Sequence, residues 1–430
     1  MAPPPGATAA AAVEVGETAV APAAGAAAAP AAVAAAERPA PSQPVAPAAA
    51  SLVDLALGVL HEGDPYRKAA LTAAAAAAWR AGALPAAPAD AADAAAAAAR
   101  VPARPARHDG AVRVVPREEA ARRGRGVVAT MHNLTHVENW AIDLAWDAVA
   151  RWGSDPRVSP HLPRAFFCDF VAIAEDEARH FVALEARLRA AGSHYGAFPV
   201  HDTLWDAAAA TAHSLPARLA IEHCCHEARG LDVLPNTIAK FRAAGDFETA
   251  ALLESVVYPE EVTHCAAGVR WLSHLHAAAR ALARGRGQRL QEQGGSEPPE
   301  GAEEAETAGE AGPSSAAEPS SSSSGGSGEG PQHAHGGGTG SSGSGLPEWA
   351  AEALEYPSPA AWFHALVRRH YGNLKGPFNA EARAKAGFTP DWYEPLVDGA
   401  ARARGSGPAG AAGAQAVPGV AAGTKDAGAR

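Results

Sequence analysis

The amino-acid sequence predicts an all-α protein built around a four-helix bundle, and three observations support this fold class. Apolar residues recur at spacings of three and four along four long segments, which is the period of an amphipathic helix. Proline, glycine and polar residues separate these segments. Glutamates and histidines lie on the apolar faces, where an unpaired charge would be costly. We therefore expect a bundle with a polar centre.

Composition divides the 430-residue chain into folded and low-complexity parts. Residues 1–50 are almost entirely Ala, Pro, Gly and Val, residues 285–345 are rich in Gly, Ser, Glu and Pro, and the tail 403–430 is rich in Ala and Gly. Such segments bury too little apolar surface to offset chain entropy, so we predict long disordered termini and a disordered insertion. The folded part is then 51–284 together with 346–402.

The folded part is expected to begin with extra N-terminal helices and to end with a segment that packs on the bundle. Residues 51–126 predict a short leucine-rich helix, two Ala-rich helices at 66–82 and 88–100, and an extended strap at 101–126 that contains three prolines. Residues 346–402 predict a helix near 359–371 followed by an irregular segment.

The bundle itself is assigned to residues 127–284, with a long connection between its second and third helices, which a bundle of two helical hairpins packed against each other requires. Its four helices are predicted at 127–152, 163–191, 214–245 and 246–283. Pro163 suits a first helical turn, and Gly192 suits a C-terminal cap. Pro259 stands inside the fourth helix, and it predicts a kink or π-bulge there.

Two Glu-x-x-His steps are the strongest functional signal. Glu177 and His180 lie in the second bundle helix, and Glu261 and His264 lie in the fourth. Side chains three apart are neighbours one turn apart on a helix, so each step can offer a carboxylate and an imidazole to one metal ion. One such step is common on helix surfaces, but two on apolar stripes are more specific.

Lone glutamates on the first and third helices complete the pattern. Glu138 and Glu227 each precede one Glu-x-x-His step, by 39 and 34 residues respectively. This order of residues is the ligand set of carboxylate-bridged di-metal centres in ferritin-like bundles. The predicted metal ligands are Glu138, Glu177, His180, Glu227, Glu261 and His264. Carboxylate and imidazole ligands suit two iron ions, with manganese as the alternative, and leave positions open for O2.

Several assignments near the ligands stay open at this point. Glu222 competes with Glu227 as the third-helix ligand, although Glu227 fits the stripe with Leu231 and Leu234 better. Asp143 and Asp232 each follow a lone glutamate by five residues, so they either accept hydrogen bonds from the ligand histidines or are exposed helix carboxylates. The other residues that we expect around the ligands or at the surface are His132, His136, Glu175, Asp176, Arg179 and Arg229.

Charge and cysteine content restrict the function classes. The net charge is −11, and the only local basic clusters, at 122–125 and 368–370, are short, which disfavours nucleic-acid binding. The four cysteines form no C-x-x-C pair, so we predict reduced core thiols in a reducing compartment; they are Cys168, Cys224, Cys225 and Cys265. No membrane span or clear targeting signal is expected, which favours the cytoplasm or an organelle stroma or matrix.

Long motifs of the chain resemble a known family. They read MHNLTHVENWAIDLAW (131–146), EDEARHF (175–181), HEARGLDV (226–233), EEVTH (260–264), FHALVRRH (363–370), LKGPFNAEAR (374–383) and AGFTPDWY (386–393). They are similar to the ferritin-like family catalogued as domain of unknown function 455, and the resemblance covers nearly all of 51–284 and 346–402. It implies a ferritin-like bundle with a di-iron centre, distantly similar to tRNA-modifying di-iron hydroxylases. The chain departs from the family in its low-complexity termini and in the 285–345 insertion.

The leading hypothesis is an O2-dependent di-iron oxidoreductase, either a hydroxylase or an oxidase. The alternatives are a ferroxidase or iron-handling protein, and a non-enzymatic, metal-stabilised bundle that presents its flexible arms to partners. The expected partners are O2 and a small-molecule substrate; tRNA is disfavoured because it would require a broader basic face, and a homodimer is an open alternative.

Overall fold

Helices make up the secondary structure of the parts of the chain that the computed structural model describes, residues 50–107, 112–124, 126–294 and 345–397. Within these ranges the extended pairings are two isolated parallel bridges, Val114 with Val200 and Leu374 with Val397. The all-α prediction is confirmed. Residues 285–294 are helical, so the prediction of disorder was wrong for that stretch; the rest of the segments predicted to be disordered falls almost entirely outside the described residues.

Side-chain caps start the three helices that precede the bundle. These are α1 (Leu52–Leu60), α2 (Pro65–Arg80) and α3 (Ala91–Arg100). Ser51, Asp64 and Asp90 each accept a hydrogen bond from a backbone N–H of the first turn. The predicted strap contains a further helix that we did not expect, α4 (Arg117–Arg123). Glu118 and Glu119 in its first turn favour a helix N-terminus, because they complement the helix dipole.

The first two bundle helices pair as an antiparallel hairpin. Helix α5 spans Val127–Gly153 and helix α6 spans Arg164–Ala190, within two residues of the predicted bounds. Gly192 adopts φ +73°, and the next N–H, that of Ser193, donates to the Leu188 carbonyl at 2.9 Å. A left-handed residue after the last turn closes the helix in this way, so the predicted glycine cap is confirmed. Helices α1 and α2 pack on the outside of this hairpin.

The second hairpin follows the crossover, which itself carries helix α7 (Thr203–Ala210). Its two arms contain two π-helical segments, named here π1 (Leu219–His226) and π2 (Leu253–Val257). The first arm comprises α8 (Leu215–Arg218), π1 and α9 (Glu227–Ala243), and the second comprises α10 (Phe247–Leu252), π2 and α11 (Tyr258–Gly294). Helix α11 runs beyond the predicted end near residue 283, since the polar stretch that follows contains good helix formers such as Arg, Gln and Glu.

Both π segments end directly before a stretch that carries predicted ligands. The irregularity beside Pro259 was expected, because proline supplies no N–H to the helical ladder, and π2 confirms it. Segment π1 ends at the residue before Glu227 and contains no proline. The local sequence did not signal it.

Helix α11 lies very close to π1 at Gly268, one turn beyond His264. A Cβ atom at this glycine would lie 2.0 Å from the carbonyl oxygen of His223. That oxygen belongs to the backbone of π1, so relief would require one helix to move. Glycine is therefore a packing requirement at this position.

Substituting Gly268 by alanine is expected to lower the free energy of unfolding by about 1–3 kcal/mol, because overpacking displaces backbone. Urea denaturation at neutral pH would measure the change. Gly285 is the control: it lies in the same helix with no atom within 4 Å of its Cβ position, so alanine there should be neutral or mildly stabilising. Equal effects at the two sites would contradict the proposed close approach.

The C-terminal segment packs on the second hairpin. It contains α12 (Glu348–Leu354), α13 (Pro359–His370), α14 (Ala380–Lys385) and α15 (Pro390–Tyr393). Helix α12 packs along α11, and α13 packs on π1. Pro235 lies inside α9 and cannot donate to the Leu231 carbonyl; instead the side-chain amide of Asn379 donates to that oxygen at 3.2 Å. The segment thus closes a gap in the helical hydrogen bonding one turn after Glu227.

The cysteines agree in part with expectation. All four are free, and Cys224, Cys225 and Cys265 are buried, whereas Cys168 is exposed on α6. The prediction of a core position was therefore wrong for Cys168, which falls on the outward face of its helix. Among the described helices, none is both long and apolar enough to cross a lipid bilayer.

Candidate metal centre

Four helices bring the six predicted ligands into one buried region. Glu138 comes from α5, Glu177 and His180 from α6, Glu227 from the start of α9, and Glu261 and His264 from α11. They form two overlapping groups in which one ligand atom of each residue lies within 4.8 Å of the others: Glu138, Glu177, His180 and Glu261, and then Glu177, Glu227, Glu261 and His264.

Glu177 and Glu261 belong to both groups, whereas each of the other four residues belongs to one. This is the arrangement expected for two ions that share two carboxylates. Each ion would then have one further carboxylate, Glu138 or Glu227, and one histidine nitrogen. Carboxylate oxygens with one imidazole per ion are a donor set that suits Fe(II) and Mn(II).

The Nδ1 atoms of both histidines face the carboxylates. His180 Nδ1 lies 3.3 Å from Glu177 Oε2 and 3.7 Å from Glu138 Oε2. His264 Nδ1 lies 3.0 Å from Glu177 Oε1, yet it is buried and has no hydrogen-bond partner among the described residues. Buried polar atoms are normally satisfied. A nitrogen directed at carboxylates without bonding to them fits a position where it would bind a cation.

The Nε2 atoms point the other way, each toward a carboxylate of the opposite Glu-x-x-His helix. His180 Nε2 lies 2.6 Å from Glu260 Oε2, and His264 Nε2 lies 3.3 Å from Asp176 Oδ2. Carboxylates commonly orient metal-binding histidines in this way. The sequence does carry a signal for them, because an acidic residue directly precedes each Glu-x-x-His step.

Asp143 and Asp232 do not fill this role, and both of our expectations for them were wrong. Both side chains are buried, and each accepts hydrogen bonds from cations of a segment outside the bundle. Asp143 pairs with Lys68 at 2.6 Å and with Arg107. Asp232 pairs with Arg383 at 2.6 Å. Asp143, five residues after Glu138, therefore anchors the N-terminal part of the chain to the bundle. Asp232, five residues after Glu227, anchors the C-terminal segment.

When no metal is bound, the surroundings of Glu138, Glu227 and His180 favour the protonated form of each, whereas Glu177 stays ionised. Burial, reinforced by Glu177, raises the pKa of Glu138 well above its usual range, and burial together with Glu261 does the same for Glu227. Burial opposes protonation of His180, but the nearby Glu138 carboxylate and the hydrogen bond with Glu177 outweigh it and raise the pKa of His180 to about 12. The pKa of Glu177 is well below its usual range despite burial, because His180 and His264 both contact it. Metal ions would replace these protons.

The remaining candidates lie outside the two groups. Glu222 Oε2 accepts from His226 Nδ1 at 2.8 Å, so the geometry favours Glu227 over Glu222 as the third-helix ligand. The imidazole of His132 accepts from the Gly196 N–H at 2.8 Å, and His136 Nδ1 pairs with the Tyr195 hydroxyl at 2.7 Å. Glu175 and Arg229 form ion pairs outside the cluster, Glu175 with Arg80 and Arg229 with Asp232.

A cavity of about 370 Å³ lies near the C-terminal end of α5 and contains none of the six residues. Its walls include Trp152, His213, Trp349 and His370. It is thus separate from the glutamate and histidine cluster.

Together, these features define a helical-bundle protein with a buried glutamate and histidine cluster able to hold metal ions. The chain belongs to the family described as "Protein of unknown function (DUF455)", which its residues 61–290 match. An uncharacterized protein of Haemophilus influenzae is 34% identical over 157 residues, which is 36% of this chain and 54% of that protein. The chain therefore spans about half the length of the curated relative that it matches. No solved structure matches the chain.

Proposed function

We propose that the protein is an O2-dependent di-iron oxidoreductase, a hydroxylase or an oxidase, with a ferritin-like bundle as its scaffold. One observation carries the proposal: the two four-residue groups share Glu177 and Glu261, and each has its own histidine. A surface salt-bridge cluster would not need this symmetry. Five of the six residues are buried and Glu227 is half-buried, which also argues for an ion that offsets the charge.

Each residue then has a definite task. Glu138, Glu177, His180 and Glu261 would hold one ion, and Glu177, Glu227, Glu261 and His264 would hold the other, with each histidine offering its Nδ1 atom. When bound, two iron ions supply the electrons for O2 reduction and a site at which a substrate is oxidised. The protein residues orient the ions and keep bulk water from the site, since the cluster lies inside the helical core.

The decisive measurement is the metal content of anaerobically purified protein. We expect about two iron or manganese ions per chain, as the ligand set of ferritin-like di-metal bundles requires. The double variant Glu177→Ala/Glu261→Ala should lose both, because each residue belongs to both groups.

Glu222→Gln is the matched control. Glu222 is a buried glutamate of π1 that pairs with His226 and lies outside the cluster. It should retain the metal. A metal-free wild type as stable as the double variant would contradict the proposal. It would leave the alternative of a bundle that presents surfaces to partners.

Iron oxidation without an organic substrate would use the same six residues. Product analysis separates the two functions. An oxidoreductase couples O2 consumption to a chemically altered substrate, whereas a ferroxidase consumes O2 in proportion to added Fe(II) alone.

A further inference from the structure

Arg179 lies between the two carboxylates that orient the histidines. Its Nη2 atom is 2.9 Å from Glu260 Oε1 and also contacts Asp176 Oδ1. The second oxygen of each carboxylate faces a histidine, Glu260 Oε2 facing His180 and Asp176 Oδ2 facing His264. A continuous chain of polar contacts therefore runs from His180 through Glu260, Arg179 and Asp176 to His264.

The chain joins parts of the protein that are far apart in sequence. Arg179, Asp176 and His180 come from α6, whereas Glu260 and His264 come from α11. Each carboxylate contacts the histidine of the opposite helix, and Arg179 also contacts Glu260, so the contacts cross between the two helices three times. The two imidazole rings are 6.1 Å apart between centroids. One guanidinium can thus influence both histidines at once.

The charges explain why a cation is needed at this point. Asp176 and Glu260 both contact one nitrogen of Arg179, so the two carboxylates lie close together and repel each other. Without the guanidinium they would separate, and both histidines would lose the acceptor that holds their rings. Arginine suits the position because its planar fork offers several donors in fixed directions.

We propose that Arg179 is a positioning residue that links the two metal positions, holding both histidine ligands ready through Glu260 and Asp176. This inference rests on the proposed di-metal centre. It assigns the arginine a task beyond surface charge, although the side chain is 51% exposed. Loss of Arg179 should weaken both metal positions together, whereas loss of either carboxylate should weaken one.

The test is a titration of metal-free, full-length protein with Co²⁺, followed by absorbance and calorimetry. Wild type should take up two ions. Arg179→Gln should weaken binding of both by about 10–100-fold, the usual cost of losing a contact that orients a ligand. Glu260→Gln should weaken mainly the ion beside His180, and Asp176→Asn mainly the ion beside His264. Arg179→Lys should fall between wild type and Arg179→Gln, because lysine keeps the charge but loses the fork.

Arg80→Gln is the matched control. Arg80 is similarly exposed, and it pairs with Glu175, which precedes Asp176 on α6, but that pair reaches neither histidine. It should leave Co²⁺ binding unchanged. If Arg179→Gln behaves like Arg80→Gln, or weakens only one ion, the link is refuted. If wild type binds no Co²⁺, Fe²⁺ or Mn²⁺, the proposed function itself fails, which is a distinct result.

Discussion

Replacing Arg383 by alanine is expected to lower the free energy of unfolding by about 3–5 kcal/mol, since it leaves a buried charge without its main partner. The Asp232 carboxylate accepts two hydrogen bonds from Arg383, one from Nε at 2.9 Å and one from Nη2 at 2.6 Å. The side chain of Asp232 is fully buried, so water cannot replace the arginine. The guanidinium also packs over the rings of Phe378, Tyr393 and Phe388 at 4.6, 4.7 and 5.3 Å.

Chemical denaturation at neutral pH would measure this loss. Lys385→Ala is the control: Lys385 lies two residues later on α14 and forms an exposed pair with Glu381, so its removal should change stability by about 0.5 kcal/mol or less. The double variant Arg383→Met/Asp232→Leu should recover most of the loss, because it removes the buried charge together with its partner. A small effect of Arg383→Ala would mean that the C-terminal segment is not anchored through Asp232.

Metal loading is expected to stabilise the protein strongly, and the gain should grow with pH. An ion that binds only the folded state adds about 2.7 kcal/mol per site when its free concentration is about 100 times Kd. In the absence of metal, the raised pKa values of His180, Glu138 and Glu227 keep protons on the cluster near neutral pH. Bound ions must displace these protons, so affinity rises as pH rises.

For the metal-free protein, these same groups should make the free energy of unfolding fall as pH rises. The pKa of His180 is raised from 6.5 to about 12, so its contribution to stability is complete below the unfolded pKa and is lost as pH rises toward the folded value. Glu138 and Glu227 act in the same direction. Their pKa values are raised in the folded state, so the folded protein loses stability as these carboxyl groups ionise.

Thermal unfolding with and without Mn²⁺ at pH 6 and pH 8 would test both pH dependences. Wild type should gain more from Mn²⁺ at pH 8, and Glu177→Ala/Glu261→Ala should gain nothing at either pH. A gain that is larger at pH 6 would contradict the proton-rich cluster.

Local sequence patterns anticipated much of the fold and the residues that meet at its centre. The bounds of α5 and α6 followed from helical periodicity, from Pro163 and from Gly192, all of which act over one or two turns. The irregularity before Glu261 followed from one proline. That these residues bind metal remains a prediction. The sequence patterns did not anticipate π1, which contains no proline, or α4 within the strap.

Helical periodicity and the order of Glu138, Glu177, Glu227 and Glu261 along the chain were enough to place four carboxylates on the inner faces of one bundle. Periodicity is a local property, so sequence alone determined it. The partners of Asp143 and Asp232, and the crossed contacts of Asp176 and Glu260 with the histidines, were decided only by the tertiary structure. Asp232 and Arg383 are 151 residues apart, and His180 and Glu260 are 80 apart. Whether such side chains meet depends on how the helices rotate and slide against one another as they pack, which no local spacing specifies.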